Sequence, residues 1–145
     1  MTEEFRPTGV VVGDDGSAGA ATAVRYAVEE ARRRGCGLHV VRAYTLLSSS
    51  RPADLPFGVV PSEEDLGRAA AAELEARWGD LDGGVDVVLQ PVHGRADEVL
   101  IGASRTAAVL VVGARGVGGF EALLLGSVAD RVVEHAVCPV VVVRG

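Results

Sequence analysis

The chain has 145 residues, a formal net charge of −6, 48% hydrophobic and 23% charged residues, which suits one globular domain able to bury a sizeable core. That acidity argues against a nucleic-acid partner, because a surface that tracks phosphates needs clustered excess base. All fourteen basic residues are Arg, so the absence of Lys excludes a P-loop lysine, Schiff-base chemistry and a lysine general base.

Short apolar runs alternate with helix-period segments along the whole chain. GVVV (Gly9 to Val12) reads as a buried strand. It is followed by Val24, Ala27, Val28 and Ala31 at the spacing of one helix face, with Glu–Arg pairs four apart on the other face and Gly35 as a stop. LHVVRAY (Leu38 to Tyr44) is a second strand, and the stretch from Thr45 to Pro61 is the longest loop. SEED (Ser62 to Asp65) opens a helix as a capping-box-like start, with Leu66, Ala70, Leu74 and Trp78 on its inner face. VDVVLQPV (Val85 to Val92) is a third strand, and Ala96, Val99, Leu100 and Ala103 mark a short helix behind it. AVLVVG (Ala108 to Gly113), apolar until its closing glycine, suits a strand buried on both faces. Ala129, Val132, Val133 and Ala136 form a last helical face, and PVVVVR (Pro139 to Arg144) closes as a fifth strand. Five strands separated by helices predict parallel pairing with right-handed crossovers, an α/β sandwich forming one domain over residues 1–145.

Cys36 and Cys138 lie far apart and outside any CxxC pair, and the three His are dispersed. No zinc-type spacing exists, and the two cysteines read as small buried hydrophobes of a reducing compartment. The opening MTEEFRPTG carries neither a basic stretch nor an apolar one, and no run approaches the roughly 18 apolar residues of a membrane span. The expectation is a cytoplasmic protein with no membrane partner.

Two strand exits look equipped for a ligand, since open α/β sheets bind beyond the carboxyl ends of their strands. One is GDDGS (Gly13 to Ser17); the other begins at Gly113 and runs GARGVGGFEALLLGSV to Val128. Gly116, Gly118 and Gly119 let the backbone turn without a Cβ penalty, and successive turned amides form anion-binding nests. Gly126–Ser127 then starts a helix whose free N–H groups favour anions. Arg115 is either a phosphate partner or a solvated loop cation. Ser127, with Asp130 three residues on, also fits an ordinary helix cap that needs no ligand. A P-loop fails for want of Lys, and a dinucleotide fingerprint fails because Glu121 stands at its third glycine. No GxSxG elbow supports an esterase.

Gly113, two residues, Gly116, nine residues, then Gly126–Ser127 is similar to the G-2x-G-9x-G-[S/T] signature of the ATP-binding branch of the universal stress protein family. VVVGDDGS, LHVVRAY and EHAVCPVVVVRG resemble that family's first strand and turn, second strand and ending. The chain departs from the pattern at Ala107–Ala108, where the family often has Asp, and in HGRA (His93 to Ala96), which lacks the usual Pro.

The resemblance implies a doubly wound, Rossmann-like parallel sheet of order 3-2-1-4-5, helices on both faces, holding ATP between the first and fourth strand exits. It implies that Gly13 and Asp15 meet the nucleoside, with Asp15 near ribose or near magnesium carried by the nucleotide. Backbone at Val40 or Val41 would read the adenine edge; Gly113, Ala114, Arg115, Gly116, Gly118, Gly119, Gly126, Ser127 and Val128 would hold ribose and phosphates. Asp14 is expected to be a solvated turn residue. The final strand, Val140 to Val143, would be an apolar edge paired with its own copy in a homodimer. The role implied is a regulatory ATP-binding stress-response protein with no catalytic residue; a slow ATPase and a nucleotide-free scaffold are the alternatives.

Overall fold

A computed structural model describes residues 5–47, 54–116 and 124–145. Gly118 and Gly119 lie outside the described residues. The elements are β1 (Val10–Gly13), α1 (Ala18–Arg34), β2 (Leu38–Tyr44), α2 (Glu63–Trp78), β3 (Val87–His93), α3 (Ala96–Ala103), β4 (Val109–Gly113), α4 (Ser127–His135) and β5 (Val140–Val143). The strands form one sheet of order β3-β2-β1-β4-β5, and every pairing is parallel. The expected doubly wound α/β architecture is the one observed.

Local chemistry fixes the helix ends. The Ser17 hydroxyl accepts from the Ala20 N–H at 3.1 Å and caps α1. At its other end Gly35 takes the left-handed conformation, φ 65°, and donates to the Arg32 carbonyl at 3.2 Å while Cys36 donates to the Ala31 carbonyl at 3.1 Å. In α2 the capping box is complete: Ser62 Oγ accepts from Asp65 N at 3.1 Å, and Asp65 Oδ2 accepts from Ser62 N at 2.9 Å.

The sheet separates two cores, and the pleat assigns residues to them alternately. Val10, Val12, Leu38, Val40, Val109 and Val111 pack with Val24 and Ala27 of α1 and with Leu74 and Trp78 of α2. Val11, Val41, Leu110 and Val112 pack on the opposite face with Leu100 and Ala103 of α3 and with Ala129 and Val132 of α4.

The differences from the sequence reading are at the edges. The third strand begins at Val87, two residues later than the apolar run suggests, because the described turn bends at Asp82–Gly84 before the strand pairs with β2. Val133 is 49% exposed, since α4 ends at His135 and turns only Ala129 and Val132 fully inward. Strand β2 outruns its neighbour. Its pairing with β1 stops at Gly13↔Val41, while its pairing with β3 continues to Tyr44↔His93.

Leu74 is fully buried where α2 meets the sheet. Leu74→Ala is expected to cost about 2–5 kcal/mol of folding free energy. Urea unfolding checks this, and a cost below 1 kcal/mol, the surface range, would contradict the packing described.

Candidate functional site

The chain leaving β1 and the chain leaving β4 turn to opposite sides of the sheet, and a cleft of about 380 Å³ opens between them. Gly13, Asp15, Val41, Gly113, Ala114, Arg115, Gly116, Gly126, Ser127 and Val128 all line it. Of the residues singled out in the sequence, Val40 is the one described residue outside it: Val40 is fully buried in the core beneath α1 and α2.

The alternation of the backbone decides which β2 groups face the cleft. In a parallel strand the N–H and C=O of one residue point to the same neighbour, and those of the next residue to the other. The Val41 carbonyl accepts from Asp14 N at 2.8 Å, so Val41 faces β1; the Tyr44 carbonyl accepts from Gly94 N at 3.0 Å, so Tyr44 faces the β3 side. Ala43 therefore turns its N–H and C=O to the β1 side, beyond the last residue of β1 that pairs. It lines the cleft, and its donor–acceptor pair matches what an adenine edge offers. The Val41 backbone is already engaged in the β1 turn, whereas that of Ala43 is turned toward the cleft.

Asp14 is the largest departure from the sequence reading. It is not a solvated turn residue: its side chain is 0% exposed. Oδ1 accepts from Gly16 N at 3.1 Å and Arg77 Nη2 at 2.9 Å; Oδ2 accepts from Arg77 Nε at 3.1 Å, Trp78 Nε1 at 3.0 Å and Arg42 Nη2 at 3.2 Å. Its own carbonyl accepts from Arg42 Nε at 2.6 Å, and Arg42 Nη1 pairs with Glu73. Burial alone would push the Asp14 carboxyl up, but the bonds from Arg77, Gly16 and Trp78 and the charge of Arg42 together hold it below its ordinary value of 3.8. Asp15, next in the chain, is exposed, and its Oδ1 accepts from Ser17 N at 2.9 Å. Both acids line the cleft, but the Asp14 carboxylate is buried and locked by α2 and Arg42, whereas Asp15 is exposed.

The glycine segment is pinned at both ends. Ala114 N donates to the Val143 carbonyl at 2.9 Å, and Gly126 N donates to the Ala114 carbonyl at 2.6 Å, so the chain leaves and re-enters at one point. The described glycines here answer to close approach more than to backbone freedom, since none of Gly113, Gly116 and Gly126 has a positive φ. A Cβ on Gly113 would stand 3.1 Å from the Gly19 carbonyl oxygen, and one on Gly116 would strike Asp15 Oδ2.

Helix α4 is capped by Gly126, with no side-chain cap bond; Ser127 is its first helical residue. The capping-box reading of Ser127 is thereby corrected, because S-x-x-D can be laid on a helix start in two registers. The first amides of α4 and the Ser127 hydroxyl sit at the cleft, an arrangement suited to an anion. Among the described residues no cluster of three His, Cys, Asp or Glu could hold a metal, so a magnesium ion would depend on Asp15 and on the nucleotide's phosphates.

A second compartment of about 640 Å³ adjoins the first and shares Asp15, Ala43, Ala96, Ser127 and Val128 with it. Its far wall is Asp97, which accepts from Arg95 Nη2 at 3.0 Å and Arg131 Nε at 3.1 Å and so ties α3 to α4. Neither Asp97 nor Ala43 stands out in the sequence. Their roles come from strand lengths and helix placement.

Comparison with known proteins agrees with the fold. A model of the universal stress protein family matches residues 8–144. A universal stress protein of Mycobacterium bovis is 36% identical over 135 residues, covering 93% of this chain and 45% of that protein. The chain thus spans less than half the length of this relative. The universal stress protein UspA from Lactobacillus plantarum has the same fold, with a TM-score of 0.74 at 23% identity over 97% of this chain and 100% of that one. A universal stress protein solved in complex with cAMP superposes with a TM-score of 0.66 at 26% identity, covering 97% of this chain and 98% of that chain. Among the described residues no helix is long and apolar enough to cross a membrane.

Removing the Asp14 charge leaves two guanidinium groups beside a neutral amide. Asp14→Asn is expected to cost on the order of 3–5 kcal/mol at neutral pH, the range for breaking a buried ion pair. Because the folded carboxyl is held below its ordinary value of 3.8, its stabilisation is complete above about pH 5 and is lost as pH falls through the folded value. Unfolding followed from pH 7 to pH 2 should show a steeper acid limb in the wild type than in the Asn variant; parallel limbs would contradict the assignment.

Proposed function

This chain belongs to the universal stress protein family, and from that premise we propose that it is a regulatory stress-response protein that binds an adenine nucleotide, ATP in the first instance, in the cleft between the β1 and β4 exits. One observation carries the reading: the Gly113–Gly116 turn, the free N-terminus of α4 and the Asp15 carboxylate converge on a single cleft whose floor is apolar. The turned amides and the α4 N-terminus suit phosphates, Asp15 suits ribose hydroxyls or a nucleotide-bound magnesium ion, and the Ala43 backbone suits the adenine edge. The complex of one relative with cAMP supports an adenine nucleotide as the ligand class. Gly118 and Gly119 belong to the proposed phosphate loop by their place in the motif.

Binding is favoured over hydrolysis. Asp14, an acid close enough to serve as a general base, has both carboxylate oxygens saturated with donors. It has no lone pair to spare for activating water. The bound nucleotide would be a state that other proteins read. Mass spectrometry of small molecules released from gently purified protein tests the reading, with ATP or another adenine nucleotide expected in stoichiometric amount; no nucleotide, and none bound on addition, would favour the scaffold alternative.

Two substitutions test the phosphate end. Gly116→Val pushes a side chain into Asp15 and is expected to abolish ATP binding while leaving the unfolding transition nearly unchanged, because Gly116 is exposed. Ser127→Asp places an acid in the first turn of α4, favourable for the helix, but should weaken ATP at least about tenfold by repulsion. Calorimetric titration of both variants checks this, and wild-type affinity in either would mean the loop does not hold phosphate.

We further propose a homodimer through β5. This strand is at one end of the sheet, is half-buried, and is four Val residues long. An unpaired apolar edge invites antiparallel pairing with its own copy. The alternative, that the long loop from Thr45 covers this edge, is disfavoured because that loop leaves β2, three places from β5 in the sheet. Pro139 and Val143 turn their carbonyls to β4, so Val142 turns its N–H to the free edge. Sedimentation should give a dimer for the wild type and a monomer for a Val142→Pro, Val143→Lys double variant, since Pro removes an edge donor and Lys opposes edge pairing. A wild-type monomer at micromolar concentration would rule the interface out.

A further inference from the structure

Arg77 sits in the last turn of α2 and lines neither compartment of the cleft. We propose that Arg77 is nonetheless a positioning residue of the binding site, holding the Asp14–Ser17 turn so that Asp15 and the α1 N-terminus stay presented to the cleft. The consequence for affinity rests on the nucleotide reading above; the effect on the turn does not.

The geometry carries it. Arg77 grips both oxygens of the Asp14 carboxylate, Nε to Oδ2 at 3.1 Å and Nη2 to Oδ1 at 2.9 Å. Its Nη2 also donates to the Ser17 carbonyl at 3.2 Å. One guanidinium therefore fixes both ends of the turn that carries Asp15. The Asp14 oxygen it orients is the same Oδ1 that accepts from Gly16 N, and Gly16 stands at φ 89°, a conformation that the turn needs and few other residues adopt. Arg77 is itself held over the Trp78 ring, 5.2 Å from its centroid, and the Trp78 indole donates to the same carboxylate.

Take the fork away and the carboxylate keeps, at Oδ2, Arg42 from β2 at 3.2 Å and the Trp78 indole at 3.0 Å. Neither of those bonds reaches Ser17, and they leave Oδ1 with Gly16 alone. A planar two-bond grip is something Arg supplies and Lys does not. Helix α2 therefore belongs to the site by contact with its frame.

The test compares wild type, Arg77→Met, Arg77→Lys and Leu74→Ala. Leu74→Ala is a control that loosens the same helix without touching Asp14. Two readouts are taken: residue-resolved amide exchange of the ligand-free protein, and the Kd for ATP by calorimetry. In Arg77→Met the Gly16 and Ser17 amides should exchange at least about tenfold faster while those of Val10 to Val12 do not, and the Kd should rise at least about tenfold. Arg77→Lys should fall between Met and wild type, and Leu74→Ala should bind ATP as wild type does. The proposal is overturned if Gly16 and Ser17 keep wild-type exchange in Arg77→Met, or if the Kd rises no more than in Leu74→Ala. If no protein binds ATP yet the two turn amides are selectively released, the positioning role stands and the nucleotide reading fails.

Discussion

A parallel sheet of order 3-2-1-4-5 cannot avoid a gap above its middle. The chain leaving β1 must travel toward β2 and the chain leaving β4 toward β5, so two adjacent strand ends part in opposite directions. Everything proposed about function depends on how that gap is furnished. On one side the glycine segment brings its backbone against α1, with Gly113 facing the Gly19 carbonyl. On the other, β2 runs three residues past the last one paired with β1 and turns the Ala43 backbone toward the opening. Backbone groups from β2, the glycine turn and α4 thus meet around an apolar floor formed by Val41, Val112 and Leu100. A ligand with a flat heteroaromatic end and an anionic end fits such a lining.

The paired acids Asp14 and Asp15 show how position sets the work of identical groups. A buried carboxylate is costly unless charged partners and hydrogen bonds satisfy it. Asp14 meets that condition with five donors to its oxygens from β2, α2 and the α1 turn. It adds little net charge to the cleft, because Arg42 and Arg77 offset it. Asp15 is left as the acid that faces a ligand. The stability of the turn and the polarity of the site are handled by different residues one position apart.

Much of this was legible in the sequence, for physical reasons. Val24, Ala27, Val28 and Ala31 of α1 and Leu66, Ala70, Leu74 and Trp78 of α2 are buried where helical spacing puts them. The apolar strands β1 and β4 are covered on both faces, while β5, equally apolar, is half-buried at the sheet edge. The spacing of Gly113, Gly116 and Gly126–Ser127 does bring those residues to one cleft. What the sequence hides is long-range. The partners of Asp14 on α2 are 63 and 64 residues away, so a local reading saw only a turn acid before a glycine. The Ala43 backbone faces the cleft because the relative lengths of β1 and β2, not their composition, decide which backbone groups are left turned toward it. Ser127 was readable as a cap because a hydroxyl before an acid suits either of two helix registers, and Gly126 took the cap.

The central claim is that one cleft, between the β1 and β4 exits, receives an adenine nucleotide with its base at Ala43 and its phosphates at the glycine turn. Amide chemical shifts followed during titration with ATP test it most directly. The account predicts saturable shifts concentrated at Ala43, Asp15, Gly113 to Gly116, and Ser127–Val128. Saturable shifts centred elsewhere, or none at all with ATP in large excess, would contradict it.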